Sequence, residues 1–170
     1  MKTYTYSIAF ISAILFTSSC QKTVNDKASP EDIARANEFK TAVSEKKFQL
    51  KEYYSDVPID YIDSDNVVKA ETQLWQYVSG WLKDDKNLFV NNSEVRVEQN
   101  AVKMPGLDTA VLIRRFFIGA DQHGPYMDFL NHEYHPLKYR LKDFTDSSFI
   151  IYALWNNKST VFSKFALEKN

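Results

Sequence analysis

Apolar residues recur at helical spacing in the first part of the body of the chain. Ser29-Pro30 is typical of a helix start, because serine caps the first turn and proline suits the first helical position. The apolar residues that follow at intervals of three, four or seven are Ile33, Ala36, Phe39, Val43, Leu50 and Tyr54. This spacing predicts a first helix over about residues 30–54.

A second apolar stripe with helical spacing lies between residues 66 and 82. Its apolar members fall within an arc of roughly 140° on a helical wheel. They are Val67, Val68, Leu74, Trp75, Val78, Trp81 and Leu82. Glu71 lies in the same arc, where a carboxylate needs a partner or a raised pKa. The pattern predicts a second helix over residues 66–82.

The pattern changes to short β-type runs after residue 90. Residues 94–98 alternate strictly between charged residues and valine, which is typical of a strand with one solvent-exposed face. Further runs predict strands over residues 110–118, 126–130, 137–144, 148–155 and 160–166, with residues 119–125 as a loop. The predicted fold class is α+β, with an N-terminal helical pair packed on a mostly antiparallel meander of five or six strands.

Two arginines stand side by side in the predicted strand 110–118. Arg114 and Arg115 point to opposite faces because side chains alternate along a strand, so either buried face contains an arginine. Glu71 can meet one of them as a buried ion pair that fixes how the helices sit on the sheet. Alternatively, the pair is the polar anchor of a pocket between helices and sheet, lined by Trp75 and Trp81. A third possibility is that the charges never meet.

The composition favours an ordered body without a strongly charged partner. The 170 residues include 21 basic and 22 acidic side chains, 15% aromatic residues and four glycines. Without residues 1–19, which contain only the basic Lys2, the count is 20 against 22, a net charge of −2. This near-neutral balance gives no reason to expect nucleic acid as a partner.

The N-terminus contains an uncharged run, residues 8–16, that is too short to span a bilayer. Small residues follow it and lead to Cys20, the only cysteine in the chain. This stretch resembles a bacterial lipoprotein signal peptide, and the resemblance covers residues 1–22. It implies cleavage before Cys20 and acylation of its thiol. The resulting division is a signal peptide (1–19), a lipidated cysteine with its tether (20–29) and a single globular α+β domain (30–170).

The residue after the cysteine carries information on location. In lipoproteins of this type, an aspartate at that position retains the protein at the inner membrane, and this chain has Gln21. The resemblance therefore implies an outer-membrane lipoprotein that is anchored through its lipid and faces the periplasm. A tether of nine residues extends about 30 Å at most, which keeps the domain close to the membrane.

The three histidines of the chain lie close together in the sequence, at positions 123, 132 and 135. His132 and His135 would share one side of a helix and hold zinc with Asp121 or His123, but on a strand they point to opposite faces. Pro136 disfavours a continuing helix. No metal site or cofactor is predicted, and no nucleophile or phosphate-binding motif supports an enzyme.

The leading functional prediction is a non-enzymatic lipoprotein of the outer membrane that contacts other envelope proteins. It would act as an interaction or accessory subunit of an envelope assembly. The alternative is a binding module for a small apolar or amphipathic ligand in a helix–sheet pocket. A third alternative is a hydrolase or metal enzyme that uses the histidine cluster.

Overall fold

The chain folds mainly into antiparallel β-strands. The computed structural model describes residues 27–62, 66–106, 110–130, 136–155 and 158–168. Within these residues one helix, α1 (Pro30–Val43), precedes the strands. The strands are β1 (Lys47–Ile62), β2 (Val68–Gln73), β3 (Lys86–Val90), β4 (Glu94–Glu98), β5 (Val111–Asp121), β6 (Gly124–Leu130), β7 (Pro136–Phe144), β8 (Ser148–Trp155) and β9 (Ser159–Leu167). A 3₁₀ turn (Trp75–Tyr77) and a short helix, α2 (Gly80–Asp84), connect β2 to β3.

Strand β1 closes the sheet into a barrel because it has neighbours on both sides. Phe48 is in register with Asn87 of β3 on one side and with Leu167 of β9 on the other. The remaining strands pair in chain order from β3 to β9, so eight antiparallel strands form the closed wall. Strand β2 lies outside this wall and pairs with the second half of β1, where Ile62 faces Val68.

Helix α1 begins where the sequence predicts it and ends earlier. The Ser29 hydroxyl accepts the N–H of Asp32 at 3.0 Å, and Pro30 occupies the first turn, as predicted. The helix ends at Val43, however, and Glu45 turns the chain with a φ of 56°. The predicted continuation to residue 54 is wrong because this stretch pairs with two strands, and the apolar spacing there also fits a strand.

The predicted second helix over residues 66–82 is also wrong. Its first part is strand β2, and only the 3₁₀ turn and the five-residue α2 are helical. Val68 is 64% exposed whereas Leu74 and Val78 are buried, so the apolar residues do not form one continuous buried helical face. Hydrogen bonding of this segment to the long strand β1 outweighs its helical spacing of apolar residues. The β-branched residues of the segment also have a low preference for helix.

The predicted fold class is therefore wrong, since a barrel with one long helix replaces the helical pair on a meander. The predicted strands from residue 94 onward are confirmed as β4 to β9. The predicted loop 119–125 is much shorter, because β5 continues to Asp121 and β6 begins at Gly124. The sequence analysis missed β1 and β3, and these are the strands that turn the meander into a closed wall.

Phenylalanine side chains fill the half of the barrel interior next to α1, here called the α1 end. Phe39 of the helix is fully buried and contacts the rings of Phe144 and Phe149, each at 5.3 Å between centroids. Phe149 in turn packs edge-on against Phe48 at 5.1 Å and stacks on Phe165 at 4.8 Å. Helix α1 thus closes one end of the barrel and supplies part of its core.

Candidate ligand-binding cavity

The other half of the barrel interior contains a cavity of about 350 Å³. This half is here called the cap end, since the segment between β2 and β3 covers it. The lining side chains come from all eight wall strands and from that segment. They are Leu50, Tyr53, Tyr77, Val78, Ser79, Leu82, Asn87, Val95, Val97, Arg114, Phe129, Tyr139, Ile151, Ser163 and Phe165. Most are apolar, and the volume lies in the range of small-molecule sites.

The cap, residues 75–84, is tied to the barrel by hydrogen bonds of its flanks and its helix. The N–H of Leu74 donates to the carbonyl of Tyr53 at 2.9 Å, where β2 leads into the cap. The Gln49 amide donates to the carbonyl of Lys83 at 2.7 Å. The Asp84 carboxylate accepts the N–H of Val102 at 2.9 Å, which joins α2 to the β4–β5 loop. These bonds hold the cap over the cavity at both of its ends.

The mouth of the cavity lies at the cap. Tyr77 and Leu82 both line the cavity, although 41% and 37% of these residues remain exposed to solvent. Val78, by contrast, is almost fully buried and faces inward. A residue that contacts both the cavity and the solvent lies at the opening of the cavity. Tyr77 and Leu82 therefore form the rim of this opening.

Arg114 is the charged side chain of the cavity. It lies on the inward face of β5 between Leu112 and Phe116, opposite Val95 of β4. Arg115 is exposed on the outer face, so the alternation of the strand separates the two arginines. Within the described residues, Arg114 forms neither a hydrogen bond nor an ion pair. Its guanidinium group therefore places a positive charge in a largely apolar cavity.

Two tyrosines add hydroxyl groups to the same hollow. Burial raises the pKa of Tyr139, an effect that the charge of Arg114 partly opposes. Burial also raises the pKa of Tyr53, with a smaller contribution from Tyr139. Both phenols are therefore neutral at physiological pH and can donate a hydrogen bond. Asn87, Ser163 and the cap residues Tyr77 and Ser79 complete the polar part of the lining.

A buried carboxylate lies near the arginine. Asp85 is 2% exposed, at the junction between α2 and β3. Burial and the charge of Asp84 raise its pKa to about 6, and the charge of Arg114 opposes this rise. Within the described residues, the Asp85 Oδ1 atom has no hydrogen-bond partner. Asp85 thus feels the charge of Arg114 without forming a contact ion pair with it.

The predicted partners of Glu71 are not beside it. Glu71 lies on β2, outside the closed wall, and accepts hydrogen bonds from Tyr61, Gln76 and Tyr77. It pairs with neither Arg114 nor Arg115. Of the three charged residues proposed for the pocket, Arg114 alone lines the cavity, and this cavity lies inside a barrel rather than between helices and a sheet.

The two tryptophans predicted to line the pocket lie in the cap. Trp75 and Trp81 are half-buried, but neither lines the cavity. The ammonium group of Lys83 lies 5.2 Å from the centre of the Trp75 ring, a cation–π contact on the cap itself. The tryptophans therefore contribute to the covering segment and not to the lining.

The remaining predicted sites lie mostly outside the described residues. Cys20 belongs to the first 26 residues, and His132 and His135 to the segment 131–135, none of which is described. His123 is exposed in the β5–β6 turn at the α1 end. Among the residues that are described, no three His, Cys, Asp or Glu side chains are placed to hold a metal ion.

The sequence analysis missed most of the polar lining. Tyr53 was assigned to a helix, and no argument singled out Tyr139, Asn87 or Ser163. Alternation along the confirmed strands provides the signal for two of them, because Tyr139 and Ser163 share a face with Leu141 and Val161, which are buried. No comparable signal exists for Tyr53, since its strand was not recognised.

The arrangement can hold a small molecule that has an apolar part and an anionic or hydrogen-bonding group. A fixed cation and neutral hydroxyl donors face a mostly apolar hollow, and no described histidine lies near Ser163 to activate it. No family model, curated protein or solved structure matches the chain. None of the helices in the described part of the chain has the length and apolar character needed to cross a bilayer.

Proposed function

We propose that the barrel binds a small amphipathic molecule in the cavity at its cap end. The volume of about 350 Å³ corresponds to about a dozen water-sized groups, at ~30 Å³ each. The lining combines a continuous apolar wall with a few polar groups, as small-molecule sites do. The cap places a rim of two partly exposed side chains, Tyr77 and Leu82, over this volume.

The observation that carries the proposal is the isolated guanidinium of Arg114. Arginine stays charged in proteins, and a charge removed from water is costly unless it is paired. A purely structural arginine would be expected to have a carboxylate in contact, as Arg140 does with Asp121. Arg114 has no such contact among the described residues and instead faces an apolar space large enough for a ligand.

A ligand would gain affinity mainly from its apolar part. Each buried methylene group contributes about 0.8 kcal/mol, and most of the lining is aliphatic or aromatic. The rings of Phe129 and Phe165 and the side chains of Leu50 and Ile151 provide this surface. A linear chain of about eight carbons with a polar end fits the available volume.

Octyl compounds test this proposal by isothermal titration calorimetry. We expect the wild type to bind at least one of octanoate, octanol and octylammonium with one-to-one stoichiometry. Ser163→Phe places a ring in the cavity from β9 and should abolish this binding. Ser163→Ala is the matched control, since it leaves the cavity open and should retain it. Binding that survives in Ser163→Phe, or no binding in the wild type, would contradict the proposal.

Membrane anchorage is a separate proposal that depends on the resemblance of residues 1–22 to a lipoprotein signal peptide. Cleavage before Cys20 and acylation of its thiol would hold the barrel at the outer membrane, facing the periplasm. Mass spectrometry of the native protein tests it, with an N-terminal diacylated or triacylated cysteine as the expected product. An uncleaved leader or a free thiol would contradict it. The predicted role as an accessory subunit of an envelope assembly likewise stays a prediction.

A further inference from the structure

We infer that the ligand of the cavity is a carboxylate, and that Arg114 binds its head group with help from the hydroxyls of Tyr139 and Tyr53. This inference rests on the proposed function, because it specifies the chemistry of the molecule in the same cavity. It is independent of the membrane anchor and of any partner protein.

The sign of the charge in the cavity selects an anion. Arg114 is the only charged side chain in the lining, and it has no contact ion pair within the described residues. A guanidinium binds a carboxylate through two parallel hydrogen bonds, which match the spacing of its two oxygens. A ligand with an ammonium head would face an unpaired positive charge in a medium that screens it poorly.

The number of charges selects a monoanion. Among the described residues, no lysine and no second arginine lines the cavity, so a phosphate dianion would bring more negative charge than these residues neutralise. Asp85 further limits the negative charge that the site can accept, because its carboxyl group already interacts with the charge of Arg114. A single carboxylate matches the one cation that is present.

The two phenols complete the head-group site. Tyr139 of β7 and Tyr53 of β1 line the same cavity, and burial keeps both hydroxyls neutral. A neutral phenol can donate its proton to a carboxylate oxygen, which accepts several hydrogen bonds. Ser163 and Phe165 lie on β9, across the barrel from β5, where they provide the wall for the apolar chain.

Ligands with the same chain and different heads test the head-group chemistry. Octanoate, octanol and octylammonium are titrated into the wild type at pH 7.5. We expect octanoate to bind about 10- to 100-fold more tightly than octanol, since each of the two hydrogen bonds from the guanidinium to a carboxylate exceeds a neutral one by about three- to tenfold. Octylammonium should bind more weakly than octanol. Equal affinities for octanoate and octanol, or a preference for octylammonium, would overturn the inference and leave the proposed function intact.

Neighbouring arginines supply the matched variants. Arg114→Met removes the charge but keeps a long apolar side chain, and it should reduce the preference for octanoate over octanol to about twofold or less. Arg115→Met, on the outer face, should leave the preference unchanged. Arg114→Lys keeps a charge without the planar fork and should retain part of the preference. A full preference in Arg114→Met would overturn the inference. If no octyl compound binds the wild type, the proposed function itself fails.

Discussion

The two ends of the barrel have the same wall and different contents. At the α1 end, phenylalanines from the helix and four strands pack against one another and leave the space filled. At the cap end, the same strands present Arg114, Tyr53 and Tyr139 to an open cavity. Along β5, the change occurs within two residues, from Phe116 in the core to Arg114 in the cavity.

The difference between the ends follows from the elements that close them. Helix α1 has 14 residues and inserts Ala36, Phe39 and Val43 into the interior. The cap contains a three-residue turn and a five-residue helix, and Val78 is its one residue that is almost fully buried. A short covering segment has too few inward side chains to fill the end that it covers, so a cavity remains beneath it.

The largest expected effect is on the packing of the α1 end. Phe39→Ala removes a fully buried ring and should lower the free energy of unfolding by about 3–5 kcal/mol. Phe129→Ala, in the wall of the cavity, should cost only about 1–2 kcal/mol, because its ring already borders empty space. Urea denaturation at pH 7.5 measures both. Equal losses would show that the two ends are packed equally well.

The next effect concerns the buried carboxylate at the cap end. The pKa of Asp85 is raised to about 6, so the folded protein binds a proton more strongly than the unfolded chain between about pH 4 and pH 6. The stabilising contribution of the proton on Asp85 is therefore present at low pH and is lost as the pH rises through 6. Asp85→Asn should therefore stabilise the protein by about 2 kcal/mol at pH 7.5, with the gain disappearing near pH 4.

Denaturation at the two pH values measures this gain. Asp60→Asn is the control, since Asp60 is exposed on β1 and its replacement should change stability little at either pH. Asp85→Asn should also tighten octanoate binding, because it removes a negative charge that interacts with Arg114. A destabilised Asp85→Asn at pH 7.5 would mean that the ionised carboxylate is well paired in the folded protein.

A smaller effect is expected for a paired carboxylate near the α1 end. Asp121 forms a two-point ion pair with Arg140, and these hydrogen bonds lower the pKa of Asp121. Arg140→Met should destabilise the protein by about 1 kcal/mol at pH 7. The difference from wild type should shrink as the pH falls below about 4, because the stability from a lowered pKa is lost on acidification.

The control for this pair is Arg96→Met. Arg96 contacts Glu94, two residues away on the same strand, and is more exposed than Arg140. Such a local pair should contribute about 0.5 kcal/mol or less. A pH-independent loss in Arg140→Met would contradict the assignment of that stability to the ion pair with Asp121.

The smallest effect concerns a single hydroxyl in the cavity. Tyr139→Phe keeps the ring that packs against Phe129, at 5.8 Å between centroids, and removes the donor. Octanoate should bind about fivefold more weakly, which corresponds to one hydrogen bond of about 1 kcal/mol, whereas octanol should lose less. Tyr152→Phe, on the outer side of β8, is the control. Identical losses for octanoate and octanol would place the hydroxyl away from the head group.

Local patterning was sufficient to predict the second half of the molecule. The strands β4 to β9 follow from alternation and from turn residues, and the start of α1 follows from Ser29 and Pro30. The first half of β1 and strand β2 were predicted as helix because their apolar residues also fit helical spacing. Strand β1 instead pairs with β3 and β9, which lie far away in the sequence, and β2 pairs in turn with β1. A pattern within one segment carries no information on such partners.

The sequence by itself determined that one arginine of the pair at 114 and 115 must share a face with the core, because strand alternation leaves no other arrangement. Only the tertiary structure decided that it is Arg114, since both faces of β5 are apolar and the closure of β1 on β9 selects the inner one. The same closure, with a cap too short to fill it, created the cavity. Its lining joins residues from all eight wall strands, and bringing them together depends on the long-range pairing of the whole barrel.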